Sequence, residues 1–342
     1  MSAGGTSEGI AAGSPPAADD LVHEPEMVPI WRESYHFGFG QPGTDRFGYA
    51  TFGKRPLKGR SGFLIAFWDP DQGFLVGQEI DTFERLDDEH DVAGLKARCV
   101  RPFEQWEVSF EGELVKVPRL SERRYEEARA VVESEREKVP VSFEFTWRAL
   151  TPAHAYEWQP AFRALFDGRH EQPGSCEGEL SIGGERHDLS GWNGIRDHAW
   201  GARSWDDATG WRWISATFAT GPHLSLLATR REDGEWIVDG GLYDESGAER
   251  IVAYRETVEE LPAEVKPEPV SSQFTVTGES GRELTVTGAV LAAVPIRFAT
   301  EQPRPGVNWN DRCIARFAAP HGSGVGELEF GALVPNEEAA DE

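Results

Sequence analysis

The sequence is poor in cysteine, in positive charge and in long apolar runs, and each shortage removes a class of protein. Its 342 residues include only Cys99, Cys176 and Cys313. They are odd in number, far apart and without a CxxC pair, so neither a disulfide framework nor a thiolate zinc site is expected, and a reducing, cytoplasmic location fits. Lys and Arg number 34 against 59 Asp and Glu, a formal net charge of -25. Such a chain repels polyanions on average, so no nucleic-acid partner is expected. No apolar stretch approaches the ~18 residues that span a bilayer. Residues 1–20 lack the basic and apolar regions of an export signal, so neither export nor membrane insertion is expected. There is no GxSxG elbow, and the glycine pairs at Gly38 and Gly40 and at Gly183 and Gly184 lack the strand, turn and helix of a phosphate loop, which sets aside α/β-hydrolase and nucleotide chemistry. His154, His170, His187, His198 and His223 are scattered without HxH or HExxH spacing, so no metal and no cofactor are predicted.

What the chain does have is turn formers and rings. Gly 37 and Pro 22 accompany Phe 19, Trp 12 and Tyr 6, a mixture that favours short strands and many turns over long helices. From Trp31 onward the apolar pattern alternates in short runs. Phe63–Phe67, Phe74–Ile80 and Trp106–Phe110 read as strands, as does Val139, Val141, Phe143, Phe145 and Trp147 on one face. Residues 121–138 combine helix formers with a possible Ser121 cap and read as a short helix or ragged strand. Further strands are expected at Glu177–Ile182, Trp211–Phe218, Leu224–Thr229, Trp236–Tyr243, Glu249–Val258, Gln273–Thr277, Glu283–Ala289, Arg312–Phe317 and Gly326–Leu333, separated by Gly-containing turns. No helical pattern intervenes between them, which argues against βαβ crossovers. The prediction is all-β: two antiparallel barrels or sandwiches in tandem, over 27–208 and 209–333, flanked by disordered tails at 1–26 and 334–342 whose polar composition cannot offset ordering entropy. Glu327 and Glu329 alternate with Leu328 and Phe330 and are expected to share one face, toward solvent or toward a cavity, with solvent favoured. Cys176 reads as a spare small residue rather than a nucleophile.

Five of the twelve tryptophans fall between Trp192 and Trp213, around Arg196, Asp197, His198, Trp200, Arg203, Trp205 and Asp206. An Asp and a His beside indole walls are the parts that acid or base catalysis on an apolar substrate requires, with the neighbouring Arg196 charge available to tune the carboxyl. An extended segment puts Arg196, His198 and Trp200 on one face and Asp197 on the other, so both groups reach one point only if Gly194 or Gly201 introduces a bend. The same residues read as buried ion pairs that close a barrel, with the indoles as core plugs.

The block Asp197-His198-Ala199-Trp200-Gly201, followed by Trp211-Arg212-Trp213, resembles the D-H-x-W-G/S signature and W-x-W strand of the AttH and CrtC-like (hydroxyneurosporene synthase-like) proteins. The frame from His170-Glu171-Gln172 through Gly194-Ile-Arg-Asp-His-Ala-Trp-Gly-Ala-Arg203 and Trp205 is similar to an uncharacterised bacterial branch carrying G-x-RDHSWG-x-RDW. The resemblance implies two lipocalin-like barrels with an apolar cavity, and a lyase or isomerase without redox cofactor. Its relatives include carotenoid hydratases, an isoflavonoid phytoalexin hydratase and fungal cyclases. Carried over, Asp197 donates a proton to an alkene, His198 orients it or handles water, and Arg196 completes the catalytic set. Trp200, Trp205, Trp211 and Trp213, with Arg203, then bind a terpenoid, steroid or polyketide-like small molecule, the indole faces stabilising a developing cation. This chain departs from that branch in having Ala199 for Ser and Ser204 for Asp. Two other readings stand beside the enzyme: a non-catalytic carrier or sensor of a hydrophobic ligand, and a block that only ties the barrels together. The overall acidity favours neutral ligands, whose binding salt should barely change.

Overall fold

The computed structural model describes residues 15–82, 87–117, 133, 136–157, 159–162, 165–204, 210–231, 233–245, 247–258, 271–300 and 306–335. Alternating sequence becomes strand throughout, and every pairing is antiparallel, as hairpin-length connections require. The first twelve strands are β1 (Trp31–Gly40), β2 (Phe47–Arg55), β3 (Arg60–Asp69), β4 (Gly73–Thr82), β5 (Glu89–Val92), β6 (Leu95–Arg101), β7 (Gln105–Val117), β8 (Lys138–Ala149), β9 (His154–Ala155), β10 (Gly168–Ile182), β11 (Glu185–Asp188) and β12 (Trp192–Ala202). Their order is β10-β12-β1-β2-β3-β4-β7, and β8 pairs with both β7 and β10. Those eight strands therefore run back on themselves as a barrel, with β5 and β6 continuing beyond β7, and β9 and β11 attached to β10. The remaining strands are β13 (Gly210–Phe218), β14 (His223–Arg230), β15 (Trp236–Asp244), β16 (Gly247–Val258), β17 (Ser271–Gly278), β18 (Glu283–Thr300), β19 (Gly306–Ala319) and β20 (Gly322–Pro335). They pair in sequence, and β20 returns to β13 to close a second barrel. The fold is all-β and lipocalin-like.

The first barrel is filled by rings, among them Phe37, Phe39, Phe67, Phe143, Trp106 and Trp147. Each such side chain contributes ~1.5–3 kcal/mol by leaving water. Glycine makes room for the largest: a Cβ on Gly174 would stand 2.0 Å from the Trp147 indole. The second barrel encloses a smaller apolar core around Ile214, Leu226, Phe274, Phe317 and Leu328. Two apolar patches join the barrels. Tyr49, Leu64 and Trp68 meet Val294, Ile314 and Val325, and Tyr156, Phe166 and Ala199 meet Trp211, Trp213 and Leu227.

Three expectations need correction. Residues 15–26 are not a loose tail: Ala17–Asp20 form a 3-10 turn, and Asp20 is fully buried in the mouth of the first barrel. Charge-assisted bonds there offset the ordering entropy that composition alone could not. β10 starts at Gly168 rather than Glu177 and runs through Pro173, which does without a donor where it faces Ile195. Glu327 and Glu329 share a face, but it is covered by the first barrel, and both are buried. The helix-or-strand segment at 121–138 lies almost wholly outside the described residues. Among those that are described, no helix is long and apolar enough to cross a membrane.

Candidate functional site

β12 carries the motif block, and its pairing with β1 matches Phe37 to Arg196, Tyr35 to His198 and Glu33 to Trp200 without a slip. The ladder opens only where Gly38 and Gly194 come so close that a Cβ on Gly194 would meet the Gly38 carbonyl at 1.6 Å. Registers on either side agree, so no bulge realigns the faces. Gly201 has a φ of 122°, but it ends the block, after Asp197 and His198, and the register continues through it. The structure accordingly separates the predicted catalytic residues. Arg196, His198 and Trp200 face into the first barrel, while Asp197 and Ala199 face the second.

Inside the first barrel, Arg196 lies over the Trp106 and Trp147 rings, at 5.7 and 5.1 Å. Its Nη1 meets Asp20 Oδ1 at 2.6 Å, and its Nε and Nη2 donate to Gln172 Oε1 at 3.2 and 3.0 Å. The other Asp20 oxygen accepts from the Phe103 amide at 2.6 Å and Trp106 Nε1 at 3.1 Å. Glu33 sits between two imidazoles, with Oε1 2.9 Å from His23 Nδ1 and 3.0 Å from His198 Nε2. Burial pushes its carboxyl up, and the His198 and His23 hydrogen bonds more than reverse this, leaving it below the usual carboxylate range. Burial, then the Arg196 charge, pushes His170 well below the usual imidazole value. Trp200 stacks on His23 at 3.7 Å. Two groupings here, Asp20 with His170 and His198, and His23 with Glu33 and His198, bring ligand-capable atoms within 4.8 Å of one another. They are the described residues best placed to hold a metal, although the Arg196 guanidinium already stands beside Asp20 as its cation. Linear spacing hid them because Asp20 and His198 come from opposite ends of the first barrel's chain.

Between the barrels lies a second buried network. Glu171 of β10 is directly opposite Asp197 of β12, and Arg169 contacts both carboxylates. Burial lowers the Arg169 pKa, but Asp197 and then Glu171 outweigh it and raise the guanidinium overall. Glu171 also accepts from Trp213 Nε1 at 2.7 Å and from the Ser225 hydroxyl, whereas Arg169 is the ion-pair partner of Asp197. Farther along, His36 Nε2 stands 2.7 Å from Glu327 Oε1. Arg312 reaches Glu327 at 3.4 Å and Glu329 at 3.3 Å, and Trp211 Nε1 donates to Glu329 at 2.8 Å. Arg203 donates to Ser34 Oγ at 2.8 Å. The Trp213 ring has the Arg169 and Arg312 guanidiniums at 5.4 and 5.8 Å, so its face is already used by protein cations. Burial keeps the Cys176 thiol well above its ordinary pKa, which makes it a poor nucleophile.

Asp197, Arg203, Trp211 and Trp213 thus belong to the space between barrels, Arg196, His198 and Trp200 to the first barrel's interior, and Trp205 lies outside the described residues. Sequence reasoning missed Arg169, Glu171, Asp20 and Glu33. The available signal was the two-residue spacing of Arg169 and Glu171, which puts them on one face of a strand.

Two closed antiparallel barrels sharing a buried charged seam define a protein of the two-barrel, lipocalin-like fold class. The chain belongs to the family described as a domain of unknown function, DUF7064, whose model matches residues 16–333. No curated protein sequence matches it. Among solved structures it is similar to a putative AttH from Nitrosomonas europaea, at TM-score 0.58 and 15% identity over 89% of this chain and 93% of that one. It is also similar to kievitone hydratase from Nectria haematococca, at 0.57 and 9% over 94% of each. CghA in complex with Sch210972 gives 0.55 and 11%, over 90% of this chain and 89% of that one. These likenesses concern the fold.

Proposed function

We propose that the protein is a lyase or isomerase of the hydratase, dehydratase or cyclase type, acting by acid chemistry on a hydrophobic small molecule held between the barrels. The observation that carries this is the facing pair Asp197 and Glu171 with a single shared guanidinium. Two carboxylates at one point with unequal partners are how a fold divides acid and base roles. Glu171 is surrounded by donors from Arg169, Trp213 and Ser225. Asp197 has fewer partners and keeps 8% exposure, so it is the carboxyl placed to reach a bound alkene, and its protonated form, with Arg169 left to Glu171, is the one that passes the proton. In hydration the proton forms a C–H bond at one alkene carbon, and water adds to the other and loses its own proton; dehydration is the reverse. In a cyclisation the same contact activates a carbonyl or alkene without net gain of water. A hydratase among the similar folds supports the reading by analogy. In this reading Arg196 and His198 position β12 from inside the first barrel and do not touch substrate.

The test is incubation with terpenoid, steroid and polyketide alkenes and tertiary alcohols in H₂¹⁸O, followed by mass spectrometry, beside D197N. Labelled product from wild type alone is expected for a hydratase, and an unlabelled isomer for a cyclase. Compounds that co-purify unchanged with both proteins would establish a carrier instead.

A further inference from the structure

The Glu33 carboxylate, inside the first barrel, is approached unevenly. Among the described residues its Oε1 has His23 Nδ1 at 2.9 Å, His198 Nε2 at 3.0 Å, the His23 amide at 3.0 Å and the Tyr35 hydroxyl at 3.5 Å, whereas Oε2 has that same amide at 3.3 Å. A carboxylate spreads about four acceptor positions over its two oxygens, so one oxygen is crowded while the other is nearly idle. Glu33 and His198 are wholly buried, and His23 keeps 20% side-chain exposure at the mouth. Both rings are clamped: Trp200 stacks on His23 at 3.7 Å, and Tyr35 on His198 at 4.0 Å. Lys54 stands opposite Glu33 on β2 and reaches Asp87, its Nζ 3.4 Å from the carbonyl and 3.9 Å from Oδ1. In the neighbouring grouping Asp20 already has the Arg196 guanidinium at 2.6 Å, so the protein's own cation fills that place.

The geometry points to a divalent first-row transition cation held by His23 Nδ1, Glu33 Oε1 and His198 Nε2, a site separate from the one between the barrels. Metal bonds of about 2.0–2.2 Å, at angles of about 90–109°, put neighbouring donors about 3.0–3.4 Å apart. The two nitrogen–oxygen separations here stand at the short edge of that range. Each imidazole then gives a lone pair to the ion instead of a proton to a crowded oxygen. Two imidazoles with one carboxylate suit Zn²⁺, Fe²⁺ or Co²⁺, whereas Ca²⁺ and Mg²⁺ take oxygen donors. Three protein donors leave coordination positions for water or a ligand, as in catalytic rather than structural sites. The ligands lie 10 and 165 positions apart in the chain, so HxH or HExxH spacing, the basis of the no-metal expectation, does not reveal them.

The full chain, stripped with chelator, is titrated calorimetrically with Zn²⁺, Mg²⁺ and Ca²⁺. Zn²⁺ is expected to bind tightly at one equivalent and to raise Tm by mass action, with Mg²⁺ and Ca²⁺ far weaker. H23A should weaken Zn²⁺ by at least about a hundredfold, since loss of an outer-shell partner alone costs about 10–100-fold. D197N should bind Zn²⁺ as wild type does, because Asp197 faces the second barrel. If H23A fails to fold, X-ray absorption at the zinc edge of the wild type still decides, two imidazoles being expected in the shell. Zn²⁺ binding that H23A leaves unchanged identifies other histidines and overturns the assignment, as does a zinc shell without imidazole or a chain that binds no Zn²⁺. Equal affinity for Mg²⁺ or Ca²⁺ overturns the metal class, and a loss of Zn²⁺ in D197N moves the ion to the seam and overturns this site. None of these results bears on the acid chemistry proposed for Asp197, which the labelled-water experiment reads separately.

Discussion

At the scale of single residues, the buried charges inside the first barrel are held by their partners. Asp20 and Arg196 are wholly buried and satisfy each other, so removing one strands the other in a low dielectric. R196M is expected to destabilise by ~3–5 kcal/mol, read from urea unfolding, and R196M combined with D20N should recover part of that loss. A fully additive double variant would show that the two do not act as a pair. Acid sensitivity follows from the imidazoles. Burial, then Lys54, pushes His90 well below its usual value, and His170 is shifted the same way. Both are neutral in the fold and take up protons on unfolding once the pH drops below ~6.5, so the unfolded state gains protons and stability falls with pH, by at most ~1.4 kcal/mol per unit for each. Glu33, held below the usual carboxylate range, adds a loss of the same sign at lower pH. H90F places a ring among Tyr35, Phe52 and Trp106 and should flatten the dependence of Tm on pH between 7 and 5. An unchanged slope would remove His90 from this account.

At the scale of elements, β12 acts as a partition. Its alternation sends one set of side chains to a barrel interior and the other to the seam, and the continuous register from Arg196 to Ala202 keeps the sets apart. The 3-10 turn at 17–20 is the second decisive element, because Asp20 and the neighbouring His23 close the mouth that Arg196 and Glu33 would otherwise leave uncompensated. Deleting residues 1–26 should therefore lower the melting temperature by several degrees, and D20N alone should reproduce much of it. A truncated protein that melts like the full chain would show that the segment is not needed. β10 offers a packing test: Gly174→Ala pushes a methyl into the Trp147 indole and is expected to cost ~1–3 kcal/mol through overpacking.

At the scale of the whole molecule, the barrels are joined through apolar patches and a charged seam. His36 of the first barrel meets Glu327 across that seam, where Arg312 of the second barrel also reaches it. A single cooperative thermal transition is expected for wild type by calorimetry. E327A, which leaves His36 and Arg312 without that partner, should lower it and separate it into two. A variant that keeps one unshifted transition would show that the apolar patches suffice. The same seam holds the proposed acid, so ligand should raise the stability of both barrels together by mass action.

Alternation of apolar and polar residues, turn glycines and the lack of crossover helices were enough to place the chain among antiparallel β folds, because strand periodicity is a local property. The tryptophan-rich block was legible for the same reason, as was the division of its residues between two faces. What local pattern does not encode is the partner across a sheet or across a seam. Glu171 meets Asp197 through a strand register, Asp20 meets Arg196 across 176 positions of chain, and Glu327 is buried because a second barrel covers it. Those meetings depend on closure of both barrels and on how one seats against the other. Only the tertiary structure decided which carboxylates meet which cations and which of them are buried.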